Sequence, residues 1–305
     1  MSDPVRQHYV PKVYLREFVD PNIPSHYEPY VWIFDKKGKN RDNKPPDKIL
    51  FVPHLYTLES DTGEKDYTIE KTLSVLEGKY GTVFREKIKK HLPLNDEDHV
   101  ILCAFVSAMI QRTLKSKANS ERFIDELIGM TASFEMKGEL KDARLQELLE
   151  YKKNIHKVGV FQQLPDITEL LFKMNVAFLV SDNEKNCFIT SDDPVNLFNP
   201  DLQWQRFYSP GLMQQKIEIT MSLSPQILAC FSWSNLRGYA KYDGGRVHDA
   251  NRMIVNQAHE YIISKSPKTK LIWFSRYPLN FPFILKVFSY KISLLKTRLL
   301  RKKFK

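Results

Sequence analysis

The order in which periodic patterns follow one another most constrains the fold of this chain. Apolar residues recur with the 3.6-residue period of a helix from Thr68 to about Lys90, and helical patterns also cover 120–137 and 142–156. From Val176 the pattern changes to short, β-branched segments separated by turn residues. Helices and strands that come in separate runs, without regular alternation, favour an α+β fold.

The ends of the chain complete this prediction. Residues 30–35 are aromatic and β-branched and predict an N-terminal strand, with 49–52 as its partner. Asn95 is a suitable N-cap for a buried helix over the apolar residues 100–110, and 246–264 have a helical pattern. We therefore expect a helical middle, a small N-terminal β element, a β-rich third quarter and a C-terminal basic helix.

Positive charge is concentrated at the C-terminus. No acidic residue follows Glu260, whereas the last 45 positions hold 12 of the 46 Lys and Arg residues and account for the whole net charge of +10. Ile284, Phe288 and Ile292 recur at helical spacing there. The pattern predicts a single domain over 1–265 and a basic amphipathic tail over 266–305. The predicted nucleic-acid ligands in this tail are Lys291, Lys296, Arg298, Arg301, Lys302 and Lys303.

The tail has other interpretations. A basic amphipathic helix also suits an anionic membrane surface or a protein partner. It is equally typical of a terminal helix that packs on the body and leaves a basic face in solvent.

Cysteine usage and hydropathy indicate the compartment. The three cysteines are too few and too scattered for a disulfide framework, and the first twenty residues contain no apolar leader. The longest apolar run, Val100–Ile110, is much shorter than the roughly 20 residues that a membrane span needs. We expect a cytoplasmic protein without a transmembrane segment.

Residues 7–18 carry a recognisable signature. His8 and Pro11 have the spacing of the HxxP motif, and this segment resembles the start of domain-of-unknown-function family 4238. The likeness continues in order to about residue 264, through Trp32–Asp35, Leu55–Tyr56, Ile69–Glu70, Glu77, Gln111–Arg112, Phe188–Val195, Leu223–Pro225 and Asn251–Arg252. The resemblance implies one shared fold and no particular reaction, because the family is named for having no assigned function.

Two glutamates and an arginine form the first candidate site. Glu70 and Glu77 lie seven residues apart, so they project from one face of the predicted helix. Because their neighbours are apolar, these carboxylates need compensation by a cation, and Arg112 at the end of the apolar helix is suited to supply it. The three residues predict either a buried structural network or an acidic metal site with an arginine that binds phosphate.

Two aspartates and a histidine form the second candidate set. Asp192 and Asp193 follow a predicted strand, where carboxylates often bind Mg²⁺ or Mn²⁺, although an Asp-Pro sequence is also a routine turn. His8 has the chemistry of a general base or a metal ligand, and it also suits a purely structural role near a helix start.

These candidates lead to two hypotheses of different class. If the residues converge, they compose the site of a Mg²⁺- or Mn²⁺-dependent nuclease, with His8 and Arg112 as catalytic groups and Glu70, Glu77, Asp192 and Asp193 as metal ligands. By association, a toxin or phage-defence effector is the expected setting. The alternative is a non-catalytic protein in which the Glu/Arg network is structural and the tail binds nucleic acid, membrane or a partner.

Other chemistries are poorly supported by the sequence. Arg85 with His91, and Arg252 with His259, resemble the Arg–His spacing of metal-independent HEPN-type ribonucleases, but the β-rich third quarter does not suit an all-helical fold. The chain contains no phosphate-binding G-x-x-x-x-G-K loop, no G-x-S-x-G, no H-E-x-x-H and no C-x-x-C motif. Nucleotide-driven motors, serine hydrolases and zinc fingers are therefore disfavoured.

Overall fold

A computed structural model describes residues 5–59, 62–133, 138–202 and 211–274. Short helical turns of 3₁₀ or π type lie at Arg16–Phe18, Pro46–Lys48, Phe84–Ile88 and Leu271–Phe274. The α-helices are α1 (Lys12–Leu15), α2 (Thr68–Val83), α3 (Asp96–Gln111), α4 (Leu114–Ser133), α5 (Gly138–Gln162), α6 (Leu164–Lys173) and α7 (Gly244–Gln257).

The strands lie before and after the block of helices. Those of the N-terminal part are β1 (Arg6–His8), β2 (Val31–Asp35), β3 (Asp42–Lys44), β4 (Phe51–Pro53), β5 (Leu58–Glu59) and β6 (Lys65–Asp66). Those of the C-terminal part are β7 (Asn175–Ser181), β8 (Thr190–Ser191), β9 (Val195–Phe198), β10 (Glu218–Ser224), β11 (Ile227–Ser232), β12 (Gly238–Tyr242) and β13 (Tyr261–Ser264). The α+β class predicted from the sequence is confirmed.

A five-stranded sheet in the order β12-β7-β11-β10-β9 forms the centre, with only the β12–β7 pair parallel. Its two faces bury different layers. Phe178, Ala229 and Phe231 point into the core formed with α2 and α3, whereas Leu179 and Leu228 belong to the core under α7. Burial on both faces explains why β10 and β11 are apolar or small at almost every position.

The central helix α3 begins as its sequence predicts. The Asn95 side chain accepts a hydrogen bond from the Asp98 backbone N–H, and the Asp98 side chain accepts one from the Asn95 backbone N–H, which completes a capping box. The α3 side chains Phe105 and Val106 are buried in the main core, where Phe105 stacks on Tyr80 of α2 with ring centroids 3.6 Å apart. This packing fixes α2 beside α3.

Two sequence-based predictions of local structure are wrong. The strand at 51–53 pairs with β1 and not with β2, since the turn after Asp35 folds β3 directly back onto that edge of β2. The helix predicted over 246–264 ends at Gln257, and Tyr261–Ser264, which contains two β-branched isoleucines, then pairs between β2 and β8.

The body continues beyond the predicted domain boundary at residue 265. Trp273 is 5% exposed, it packs with Phe34 and Ile254, and its Nε1 donates to Nδ1 of His248 over 3.2 Å. The predicted basic helix, with Lys291, Lys296, Arg298, Arg301, Lys302 and Lys303, lies outside the described residues. Among the described helices, none combines the length and the apolar character that crossing a bilayer would need.

Candidate functional site

The buried guanidinium of Arg112 lies at the centre of the candidate site. Arg112 is the C-cap residue of α3, and its side chain is 1% exposed. Its Nη1 donates to Oε1 of Glu77 over 2.8 Å, and its Nη2 donates to the backbone carbonyl of His8. Because both terminal nitrogens donate inside the protein, the geometry favours a positioning role for Arg112 over the phosphate-binding role that the sequence suggested.

Tyr56 covers the same guanidinium. Its ring centroid lies 5.6 Å from Cζ of Arg112, and its hydroxyl donates to the Arg112 carbonyl over 2.7 Å. Burial lowers the pKa of Arg112, but the Glu77 carboxylate and Tyr56 outweigh that effect, so its pKa is raised above the ordinary value. The arginine is therefore charged, and its burial is compensated from three directions. We call His8, Tyr56, Glu70, Glu77 and Arg112 the Arg112 cluster.

Glu70 is the member of this cluster with an uncommitted carboxyl group. It lies on the first turn of α2 and is half-buried, and its Oε2 is buried without a hydrogen-bond partner among the described residues. The pKa of Glu70 is raised to about 7, chiefly by burial and in part by Glu77, against the opposing charges of Arg112 and Lys12. Glu70 is thus close to half-protonated at neutral pH.

His8 is the buried histidine of the cluster, and its backbone carbonyl accepts the hydrogen bond from Arg112. It lies at the end of β1 opposite Phe51, whose ring is 5.5 Å from the imidazole, and it is 7% exposed. Burial and the charge of Lys12 lower the pKa of His8 to about 4, although a hydrogen bond to the Asp47 backbone carbonyl opposes the shift. The imidazole is neutral at pH 7, and its Nε2 is buried without a partner in the described structure.

Asp192 does not join the Arg112 cluster. Its carboxylate is 2% exposed and accepts backbone N–H groups of His259, Glu260 and Tyr261 at 2.9, 2.7 and 3.1 Å. Burial raises the pKa of Asp192, although these three hydrogen bonds lower it. The carboxylate therefore fixes the loop that leads from α7 into β13.

The neighbouring Asp193 binds side chains of α4 and α7. Its Oδ2 accepts from Nζ of Lys115 at 2.9 Å and from Nε2 of Gln257 at 3.2 Å. The Thr113 hydroxyl donates to Oδ1 over 3.4 Å. Since Thr113 follows Arg112 directly, the bend between α3 and α4 has the Arg112 cluster on one side and the Asp192–Asp193 turn on the other.

The four predicted metal-binding carboxylates are thus divided between two places. Among the described residues, no group of three or more His, Cys, Asp or Glu side chains is arranged to hold a metal ion. Glu77 is 22% exposed and Glu70 is half-buried, so these two retain access to solvent that Asp192 and Asp193 lack. The Mg²⁺ or Mn²⁺ ion stays a prediction.

Three residues of this region were not among the site residues predicted from the sequence. Tyr56 had a signal, because it belongs to a matched segment of the family resemblance. Lys115 has none beyond its position after the end of α3. Lys12 had the same kind of signal as Tyr56, because it lies in the signature over 7–18; it is exposed, and its charge acts on both His8 and Glu70.

Comparison with known proteins supports the resemblance seen in the sequence. No curated protein and no solved structure has significant similarity to the chain. The model of the family described as "protein of unknown function (DUF4238)" matches residues 6–268. The match contains the central sheet, the helices around it, the Arg112 cluster and the Asp192–Asp193 turn. The chain therefore belongs to domain-of-unknown-function family 4238.

Proposed function

We propose that this protein is a phosphodiesterase that acts on nucleic acid, with Glu70 as the group that transfers a proton. The observation that carries the proposal is the environment of Glu70: a half-buried carboxyl group with one unpaired oxygen and a pKa of about 7. A general acid or base works best when its pKa lies near the working pH. Strongly shifted groups without a structural partner are also typical of reactive sites.

The neighbours of Glu70 have distinct roles in this proposal. Lys12 is exposed and close enough to act on the pKa of Glu70, so we assign to it the binding of a phosphate oxygen. Arg112 and the His8 backbone hold α2 and the N-terminal segment together, and we assign them positioning roles. The His8 imidazole is buried against Phe51, and we assign it a packing role.

A divalent cation is part of the proposal. Mg²⁺ keeps several of its waters and is often held by only one or two carboxylates together with the phosphates of the substrate. Among the predicted ligands, Glu77 is 22% exposed and is accessible to such an ion, whereas Glu70 keeps its role in proton transfer. A cation bound in this way would lower the pKa of the attacking water and neutralise charge on the phosphate.

Nucleic acid is the proposed substrate because of the charge of the tail. Residues 275–305 contain nine Lys and Arg residues and no acidic residue. A dense positive segment contributes affinity for a phosphate backbone without sequence preference. A toxin or phage-defence effector is the setting we propose by association for such a nuclease.

The experiment is cleavage of labelled RNA, single-stranded DNA and duplex DNA, with Mg²⁺ or Mn²⁺ and with EDTA. Glu70→Gln is the test variant, because it preserves the shape of the side chain and removes its proton transfer. Glu126→Gln, at an exposed position of α4, is the matched control. We expect metal-dependent cleavage that Glu70→Gln abolishes and Glu126→Gln retains. Equal cleavage by both variants, or none by the parent protein, would contradict the proposal.

One observation favours a second candidate, a non-catalytic binding protein. The two terminal nitrogens of Arg112 and the Asp192 carboxylate form their hydrogen bonds within the protein, as groups in structural networks do. In that case the full-length protein binds nucleic acid in a salt-sensitive way and cleaves none of the substrates. The same experiment therefore separates the two candidates.

A further inference from the structure

Two cavities share one lining histidine, His156, close to Tyr56. The first has a volume of about 860 Å³ and lies between α4 and α5; the second, of about 720 Å³, lies between α5 and β4. His156 of α5 lines both. Each volume is within the range of roughly 300–1,000 Å³ that is usual for small-molecule sites.

The first cavity is mainly apolar. Ile124, Leu148 and Val160 line its inner part, and the aromatic side chains of Phe123 and Tyr151 lie at its rim, 57% and 49% exposed. Polar lining groups, including Asn119, Ser120 and Gln163, are interspersed among them. Apolar and aromatic walls with a few hydrogen-bonding groups are suited to a heteroaromatic ring.

The second cavity is positively charged. Its lining includes Lys117, Lys152, Lys153 and Lys157. Lys152 pairs with Asp125 at 2.5 Å and Lys153 with Glu150 at 2.6 Å, so Lys117 and Lys157 are the cations available to a ligand. Lys117 faces Glu121 at 3.7 Å, which is a weak contact, and no ion pair within the described chain neutralises Lys157. Lysine clusters of this kind bind phosphate as point charges.

His156 is the polar group at the junction. It is 5% exposed, and its Nε2 is buried without a hydrogen-bond partner among the described residues. Burial, together with the charges of Lys117 and Lys157, lowers its pKa to about 4. A buried polar atom without a partner is costly, so His156, which lines both cavities, is a hydrogen-bonding group that a ligand there would satisfy.

We propose that the two cavities form one binding site for a mononucleotide, with the base in the apolar cavity, the phosphate in the lysine-lined cavity and His156 between them. The site is separate from the Glu70 carboxyl and does not depend on the proposed function. It nevertheless adjoins the Arg112 cluster, because the His156 ring lies 5.9 Å from the ring of Tyr56.

Glycines on these helices provide a matched pair of variants. Gly159 lines the apolar cavity, and a Cβ added there meets nothing within 4 Å. Gly159→Leu therefore places its Cβ without a clash, adds bulk to the cavity lining and replaces a poor helix former with a good one. A Cβ at Gly129 of α4 also meets nothing within 4 Å, and Gly129 does not line either cavity, so Gly129→Leu is the control.

The experiment is calorimetric titration of the full-length protein with AMP, GMP, CMP and UMP, beside adenosine and inorganic phosphate. We expect at least one mononucleotide to bind more tightly than adenosine and phosphate. Gly159→Leu and Lys157→Gln should each weaken this binding about tenfold or more. Gly129→Leu and Lys79→Gln, the latter at an exposed position of α2, should leave it unchanged.

Three outcomes would overturn the proposal. One is that no mononucleotide binds. Another is that a nucleotide binds equally well to the parent protein and to Gly159→Leu or Lys157→Gln. The third is that inorganic phosphate binds as tightly as the nucleotides, which would mean an anion site without a base pocket. Because the readout is binding, none of these results depends on whether the protein cleaves nucleic acid.

Discussion

Arg112 of α3 and Glu77 of α2 form an ion pair, 2.8 Å from Nη1 to Oε1, in which the arginine side chain is 1% exposed and the glutamate 22%. The remaining terminal nitrogen of Arg112 donates to the His8 carbonyl. A single guanidinium thus connects α3, α2 and the HxxP segment. Burial of the Arg112 charge would destabilise the folded state if Glu77 were not ionised beside it.

Glu77→Gln should therefore destabilise the protein. Removing one charge of a fully buried ion pair leaves the other without its counter-charge, which costs about 3–5 kcal/mol. Since Glu77 is 22% exposed, we expect a smaller loss of about 1–3 kcal/mol in the free energy of unfolding, measured by urea denaturation. Glu147→Gln is the control because its pair with Arg144 is exposed. A loss no larger than that of the control would mean that water compensates Arg112.

Glu70→Gln should have the opposite effect on stability. The pKa of Glu70 is about 7 in the folded protein and about 4.5 in the unfolded chain, so the folded state binds more protons between these values. The contribution of Glu70 to stability is therefore complete below pH 4.5 and is lost as the pH rises through 7. Glutamine cannot ionise, so Glu70→Gln should be more stable than the parent protein at pH 8, by about 1–3 kcal/mol.

The measurement for Glu70 is the difference in unfolding free energy between the two proteins at pH 5 and at pH 8. His8 also titrates on folding, and its contribution cancels in this difference because both proteins contain it. A gap that stays constant between the two pH values would show that the Glu70 pKa is not raised. If Glu70→Gln is more stable and inactive, its loss of cleavage cannot be attributed to unfolding.

Local sequence signals predicted the local structure of this protein well. The periodicity of α2 and the capping residues before α3 gave helices that the structure contains, and the i, i+7 spacing placed Glu70 and Glu77 beside a cation that proved to be Arg112. Each of these signals acts within two turns of one helix or on one buried charge.

Long-range pairing was not predictable in the same way. The sequence does not show that β13 inserts between β2 and β8, or that the Asp192 carboxylate is satisfied by the loop before β13. Both depend on contacts between segments about 70 or more residues apart. The four predicted metal ligands are all acidic residues, as a Mg²⁺ site requires. The fold nevertheless places two of them in the Arg112 cluster and two in the Asp192–Asp193 turn, for the same reason.

Asp192→Asn should destabilise the protein through the loop after α7. The amide keeps one acceptor oxygen but presents an NH₂ group to backbone N–H donors that are now satisfied by the carboxylate. We expect a loss of about 2–4 kcal/mol, seen as a lower thermal midpoint. Asp201→Asn, at an exposed pair with Lys216, should change stability by less than about 0.5 kcal/mol. Equal midpoints for the two variants would show that the loop does not need the charge of Asp192.

Removal of residues 275–305 should weaken binding to nucleic acid without unfolding the body. The truncation deletes nine basic residues and no acidic residue, which lowers the net charge from +10 to +1 and keeps the buried Trp273. We expect lower affinity for duplex DNA and a shallower dependence of log K on log salt, by roughly 0.9 for each phosphate that the truncated protein no longer neutralises. Fluorescence anisotropy over a salt series measures both quantities. A second truncation, from Ser266, also removes Trp273 and its packing against Phe34 and Ile254, so it should lower the thermal midpoint. If the truncation after Phe274 leaves affinity and salt slope unchanged, the groups that bind phosphate lie on the body.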